Sequence, residues 1–176
     1  MSGTLFIQNR QRAVSVNTGF LHRLARALLR NLLRDKDFDL GIYLVCAPEM
    51  TRLNETFLRH KGPTDVITFD YAEKAKLAPR RRSLPPRPGR QKAGPALHGE
   101  IFICLNEAVS QACQFRTSWQ SELARYLIHG LLHLNGFDDR KAADRREMKR
   151  AEDRLLKKTA RRFPLSKLAG RPKLAA

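Results

Sequence analysis

Apolar residues recur along this chain with two periods, near two and near 3.6, and the changes between them mark its elements. Thr4 to Val16 alternates loosely and predicts a first strand, with Arg10 and Arg12 suiting an edge position. Asn17 or Thr18 can cap a helix running to about Arg34, whose buried stripe is Phe20, Leu21, Leu24, Ala27, Leu28 and Leu32. Leu40 to Ala47 is a compact apolar run and predicts a second strand. Pro48 suits the first turn of a second helix, with Met50, Leu53, Phe57 and Leu58 at helical spacing. That helix is expected to break at Lys61-Gly62-Pro63, before a strand over Thr64–Tyr71. Arg59, Lys61 and Asp65 are thereby grouped at a helix–loop–strand junction, a place where a rigid scaffold can position functional groups.

Residues 72–97 change character, with five of the nine prolines and few apolar residues, and read as a loosely held insertion between two strands. His98 to Cys104 resumes as a strand, and Asn106 or a neighbour can cap a short helix through about Phe115. Thr117 with Gln120 fits a capping box for the next helix, whose Leu123, Leu127, Ile128, Leu131 and Leu134 make a broad apolar face. A last helix is expected from Lys141 to Arg161, with Met148, Leu155 and Leu156 on its apolar side. The pattern predicts an α+β fold, a small mixed sheet covered by helices, with the helix of residues 121–134 packed against it. One domain over 1–161 and a flexible basic tail over 162–176 complete the expectation.

That packed helix carries the chemistry. His129 and His133 stand four apart, one above the other on one side of it. Gly136 can end the helix and reverse the chain, and Asp138 and Asp139 follow where a carboxylate could return to the imidazoles. Two imidazoles and a carboxylate with room for water suit catalytic zinc, and spacing leaves the choice between the two aspartates open. In HExxH proteases a glutamate follows the first histidine as base, but here that position is Gly130, so peptide hydrolysis of that type is disfavoured. A two-His-one-carboxylate oxygenase is permitted by the ligand set, yet a helical HxxxH argues against it.

Charge adds a partner. The formal net charge is +17, and its excess is local. Residues 72–97 hold eight Lys/Arg against one Glu, residues 140–176 hold fourteen against four acids, and the remainder balances. Two basic segments beside a neutral body favour a polyanion, nucleic acid above all. Cys46, Cys104 and Cys113 are odd in number and form no CxxC pair, which suits buried thiols in a reducing compartment. The N-terminus lacks a basic start followed by an apolar run, and no apolar stretch approaches a membrane span, so a cytoplasmic protein is expected.

His129-Gly130-Leu131-Leu132-His133-Leu134-Asn135-Gly136-Phe137-Asp138-Asp139 resembles the HGxLHLxGYDH signature of the YbeY family of bacterial endoribonucleases. Asn54 to Arg59, Pro63-Thr64-Asp65-Val66-Ile67-Thr68-Phe69 and Gly99-Glu100-Ile101-Phe102-Ile103-Cys104 extend the resemblance in order and spacing. It implies a metal-dependent enzyme that cuts single-stranded RNA, acting in ribosomal RNA maturation and ribosome quality control on the small subunit. Carried over by position, His129 and His133 are zinc ligands and His129 belongs to the catalytic centre. Arg59 matches an active-site arginine whose guanidinium suits a phosphate, with Lys61 beside it on the RNA path. The family's last histidine falls on Asp139, whose oxygen can bind zinc but also admits Mn or Fe. That departure keeps a second expectation alive: a non-catalytic RNA-binding ribosome-assembly factor with a weakened metal site.

Overall fold

The alternating segments assemble as a four-stranded mixed sheet in the order β1-β2-β4-β3. Its strands are β1 (Gly3–Asn9), β2 (Phe38–Val45), β3 (Val66–Asp70) and β4 (Leu97–Cys104). β1, β2 and β4 run parallel, and β3 lies antiparallel to β4. The helices are α1 (Thr18–Leu33), α2 (Ala47–Leu53), α3 (Leu105–Phe115), α4 (Trp119–Leu134) and α5 (Ala142–Arg162). This computed structural model describes residues 3–33, 37–71 and 97–171. The expected basic insertion therefore lies outside the described residues, except Leu97, which opens β4 and is buried.

Pleating sends Leu40, Ile42 and Leu44 of β2 and Leu97, Ile101 and Ile103 of β4 into the main core. There they meet Leu21, Leu24 and Leu28 of α1 and Leu123, Leu127, Ile128 and Leu131 of α4. The opposite face carries a smaller core of Val45, Met50, Ile67, Phe102 and Cys104 beside α2. Tyr43 stacks on Phe102 there at 4.7 Å between ring centroids. An α+β fold with the histidine helix against the sheet is what the hydrophobic pattern predicted.

Local boundaries depart from the pattern for identifiable reasons. β1 ends at Asn9 and does not reach Val16. The buried Gln11 amide donates to Asn9 Oδ1 (2.9 Å) and to the Val14 carbonyl (3.0 Å), which turns the chain. Asn17 caps α1 by accepting from the Phe20 N–H at 2.9 Å. Asn106 caps nothing in its own helix, because its Oδ1 accepts from the Ala47 N–H and ties α3 to the start of α2. In α4 the cap is Ser118, not Thr117; Ser118 accepts from the Ser121 N–H, and the Thr117 hydroxyl donates to Glu122 at 2.6 Å.

The second helix changes register. After Leu53 the backbone widens into a π turn over Asn54–Leu58 and stops at Arg59, which sits in the left-handed region at φ 60°. The extra residue per turn rotates Phe57 and Leu58 off the apolar stripe, leaving them 59% and 46% exposed. Buried Asn54 holds the following loop by donating from Nδ2 to the Gly62 carbonyl at 2.8 Å.

The segment after Arg162, expected as a flexible tail, is packed through residue 170. Leu165–Leu168 forms a 3₁₀ turn, Leu168 is fully buried, and Ala169 bridges to Val16. Residues 172–176 lie outside the described residues. The three thiols are free, but only Cys104 is buried and Cys113 is exposed. Among the described residues no helix is long and apolar enough to cross a membrane. Leu168→Ala should lower unfolding stability by about 2–4 kcal/mol, read as an earlier urea midpoint. Exposed Lys167→Ala should stay within about 0.5 kcal/mol of wild type. An unmoved midpoint for Leu168→Ala would show that this segment is not part of the core.

Candidate metal centre

α4 serves two environments at once. Its Leu127, Ile128 and Leu131 are fully buried, while His129 and His133 each keep about a quarter of the side chain exposed (24% and 25%). Gly130 faces the sheet; a Cβ there would meet Ile101 Cγ2 at 2.8 Å and Thr68 Cγ2 at 3.3 Å. The close approach of helix and sheet leaves no room for the glutamate that HExxH enzymes carry at this position.

The end of α4 aims the second histidine. Gly136 takes φ 92°, the Phe137 N–H donates to the Leu132 carbonyl, and the Gly136 N–H donates to the His133 carbonyl. This paired closure, which a residue without a Cβ permits, brings the Phe137 carbonyl to His133 Nδ1 at 3.1 Å. His129 Nδ1 meets the Glu152 carboxylate of α5, also at 3.1 Å. A carbonyl and a carboxylate accept only, so the proton on each ring belongs to Nδ1. The two Nε2 lone pairs then face one another at 3.1 Å with no hydrogen between them. Such an arrangement is repulsive alone and favourable around a cation.

Asp139 completes the set. Its Oδ2 lies 3.9 Å from His133 Nε2, and one ligand atom each from His129, His133 and Asp139 fall within 4.8 Å of one another. Asp138 is engaged elsewhere. It accepts from the Asp139 N–H at 2.8 Å and from the Arg140 guanidinium, also at 2.8 Å. Those bonds from Arg140 hold its carboxyl below the usual carboxylate range. His133 is pushed down from the ordinary histidine value by burial and by the neighbouring His129, while Asp139 acts in the opposite sense. Neutral imidazoles and one carboxylate are the donor set a divalent transition metal takes, so the residues fit such an ion.

Glu152 is the residue that pattern reading missed. It sits on a helix whose polar face is mostly basic, so nothing along the chain singles it out. Burial alone would raise its pKa, but hydrogen bonds from His129, Lys149 and Arg125 outweigh that and hold it at about 2. Arg125 Nη1 donates to it at 2.7 Å and Lys149 Nζ at 2.8 Å. A permanently ionised carboxylate is thus fixed behind His129.

In front of these three side chains lies an open cleft of about 980 Å³, walled by Leu58, His60, the first residues of β3 and the Gly136–Arg140 turn. Arg59 and Lys61 are exposed, and neither lines this cleft, although Leu58 and His60 on either side of Arg59 do. His60 is a further imidazole on the cleft wall that no sequence motif marked. Asp65 lines the cleft too, and its Oδ1 accepts from the Thr64 hydroxyl and the Val66 N–H.

Comparison with known proteins matches residues 6–160 to the family described as Endoribonuclease YbeY. A relative of that name from Salinibacter ruber is 33% identical over 117 residues, 66% of this chain and 68% of that protein. Another, from Beutenbergia cavernae, is 34% identical over 145 residues, 81% of this chain and 89% of that protein. The solution structure of TM1509 from Thermotoga maritima superposes with a TM-score of 0.58 at 22% identity, covering 98% of this chain and 100% of that one, a likeness of fold. With the family match spanning nearly its whole length, the chain belongs to the YbeY family of endoribonucleases.

Proposed function

We propose that this protein is a metal-dependent endoribonuclease that cuts single-stranded RNA, with ribosomal RNA of the small subunit as its cytoplasmic substrate. The observation that carries the metal dependence is the pair of Nε2 lone pairs facing at 3.1 Å beside the Asp139 carboxylate. His129, His133 and Asp139 are the proposed ligands, zinc the proposed ion, and Mn or Fe its competitors on account of the carboxylate oxygen. An ion held there supplies Lewis acidity to a phosphoryl oxygen and lowers the pKa of a bound water.

The chain's own groups do the rest. Glu152 and the Phe137 carbonyl orient the imidazoles and hold the single proton of each neutral ring on Nδ1. Arg59, in a left-handed φ at the end of the π turn and between Leu58 and His60 of the cleft wall, is the guanidinium proposed for the scissile phosphate. Lys61 adds a second positive charge on the same loop. α5 turns nine Lys/Arg side chains to solvent, among them Arg145, Arg150, Arg154 and Lys158, which favours a polyanionic substrate.

Metal content per chain should be near one in wild type and should fall sharply in Asp139→Ala. Glu152→Gln should weaken metal affinity by about 10–100-fold, measured by competition with a chelator. Equal metal in wild type and Asp139→Ala would remove Asp139 from the ligand set. Cleavage of a labelled single-stranded RNA should be lost in His133→Ala and should fall by at least about tenfold in Arg59→Ala. RNA binding without cleavage by the metal-loaded wild type would sink the enzyme reading and leave a non-catalytic RNA-binding assembly factor.

A further inference from the structure

A second hollow, of about 770 Å³, shares Thr64, Asp65 and His129 with the metal cleft. From them it extends between α3, α4 and the loop entering β3, so a strand lying across the metal cleft reaches it directly. Tyr126 of α4 forms part of its wall and is 5% exposed. Its hydroxyl makes no hydrogen bond among the described residues, yet it is not sealed from the hollow. Burial, and then the carboxylates of Asp65, Glu122 and Glu107, push this phenol well above its ordinary value, so it stays protonated. Phe115, 62% exposed, gives the wall an aromatic face.

The lining decides the chemistry of the occupant. Arg125 and Lys149 also line the hollow, but both are paired with the carboxylates of Glu152 and Asp153, so Asp65 and Glu107 are left to repel a phosphate. A bare cation is also a poor fit, because the only described cluster with converging ligand atoms is His129, His133 and Asp139. The Glu122 carboxylate is occupied by the Thr117 hydroxyl at 2.6 Å and by Arg125 at 3.5 Å. The Glu107 carboxylate has no side-chain partner among the described residues, and Asp65 uses only Oδ1. What remains is an uncharged hollow-filler that stacks on a ring and offers hydrogen-bond donors to free carboxylate oxygens.

We propose that this hollow is a nucleobase subsite beside the scissile phosphate, taking bases with an exocyclic amine and rejecting uracil; the proposal rests on the endoribonuclease reading. Guanine, adenine and cytosine each turn an amino group toward an acceptor, and an unpaired strand leaves that edge open. Uracil turns two carbonyl oxygens toward the carboxylates and has one N–H donor. A site lined with unpaired acceptors discriminates strongly against a base that cannot satisfy them. Tyr126 contributes a hydroxyl that can donate to the bare ring nitrogen of adenine or cytosine, a position where uracil carries an N–H and offers no acceptor.

The test is digestion of short single-stranded RNAs of randomised sequence by the full-length, metal-loaded protein, with the cut ends sequenced. Uracil should be depleted by about tenfold at one fixed position flanking the cut. Glu107→Gln, which supplies a donor as well as an acceptor, should bring that depletion to within about threefold while cutting continues. Tyr126→Phe should likewise weaken it without changing the size of the hollow. Cleavage beside all four bases at equal rates, or a depletion unchanged in both variants, overturns the subsite and leaves the nuclease reading standing. Absence of cleavage with any RNA overturns the nuclease reading, and the subsite with it.

Discussion

The site depends on two imidazoles held with their Nε2 lone pairs toward each other. No pair of histidines adopts that arrangement unless something else fixes both Nδ1 protons, since protonation of either Nε2 would turn repulsion into a hydrogen bond. Here the fixing groups come from different places. One is the Phe137 carbonyl, delivered by the closing turn of α4, and the other is the Glu152 carboxylate, delivered by α5. The packing of α5 across α4 is therefore part of the metal centre as much as of the core, with Met148 and Leu156 burying the same helix that aims Glu152.

Electrostatic balance follows from that placement. A buried carboxylate is costly unless paired, and Glu152 is paired three times over, with Arg125, Lys149 and His129. The result is a fixed negative group behind His129 that raises the donor strength of its imidazole. The third proposed ligand, Asp139, is by contrast 42% exposed. A carboxylate in place of a third imidazole would add negative charge at a bound ion and make its water less acidic. The basic face of α5 and the Arg59 loop lie on elements that frame the site.

One backbone irregularity lies beside the cleft. The π turn and the left-handed Arg59 interrupt α2 beside the cleft wall, where Leu58 and His60 enter it. A non-glycine residue at φ 60° carries a strain that the surrounding bonds of Asn54 offset. Two hollows then meet at His129, one in front of the three proposed ligands and one lined by carboxylates and Tyr126.

The amino-acid order by itself determined the elements and the ligand-bearing helix. Period-two runs became strands, the stripes of α1 and α4 became core faces, and HxxxH with Gly136 and the acidic pair marked the turn where ligand atoms of His129, His133 and Asp139 converge. These are local properties, written in spacings of a few residues and in the absence of a Cβ at one position. What the tertiary structure decided are matters of distance between segments far apart in the chain. It joined Glu152 to His129 across 23 residues, assigned Asp138 to Arg140 so that Asp139 faces His133, redirected Asn106 from capping to tethering α2, and buried Leu168. No periodicity encodes such pairings. A buried glutamate on a basic helix looks like any other charged residue until the helix it crosses is known.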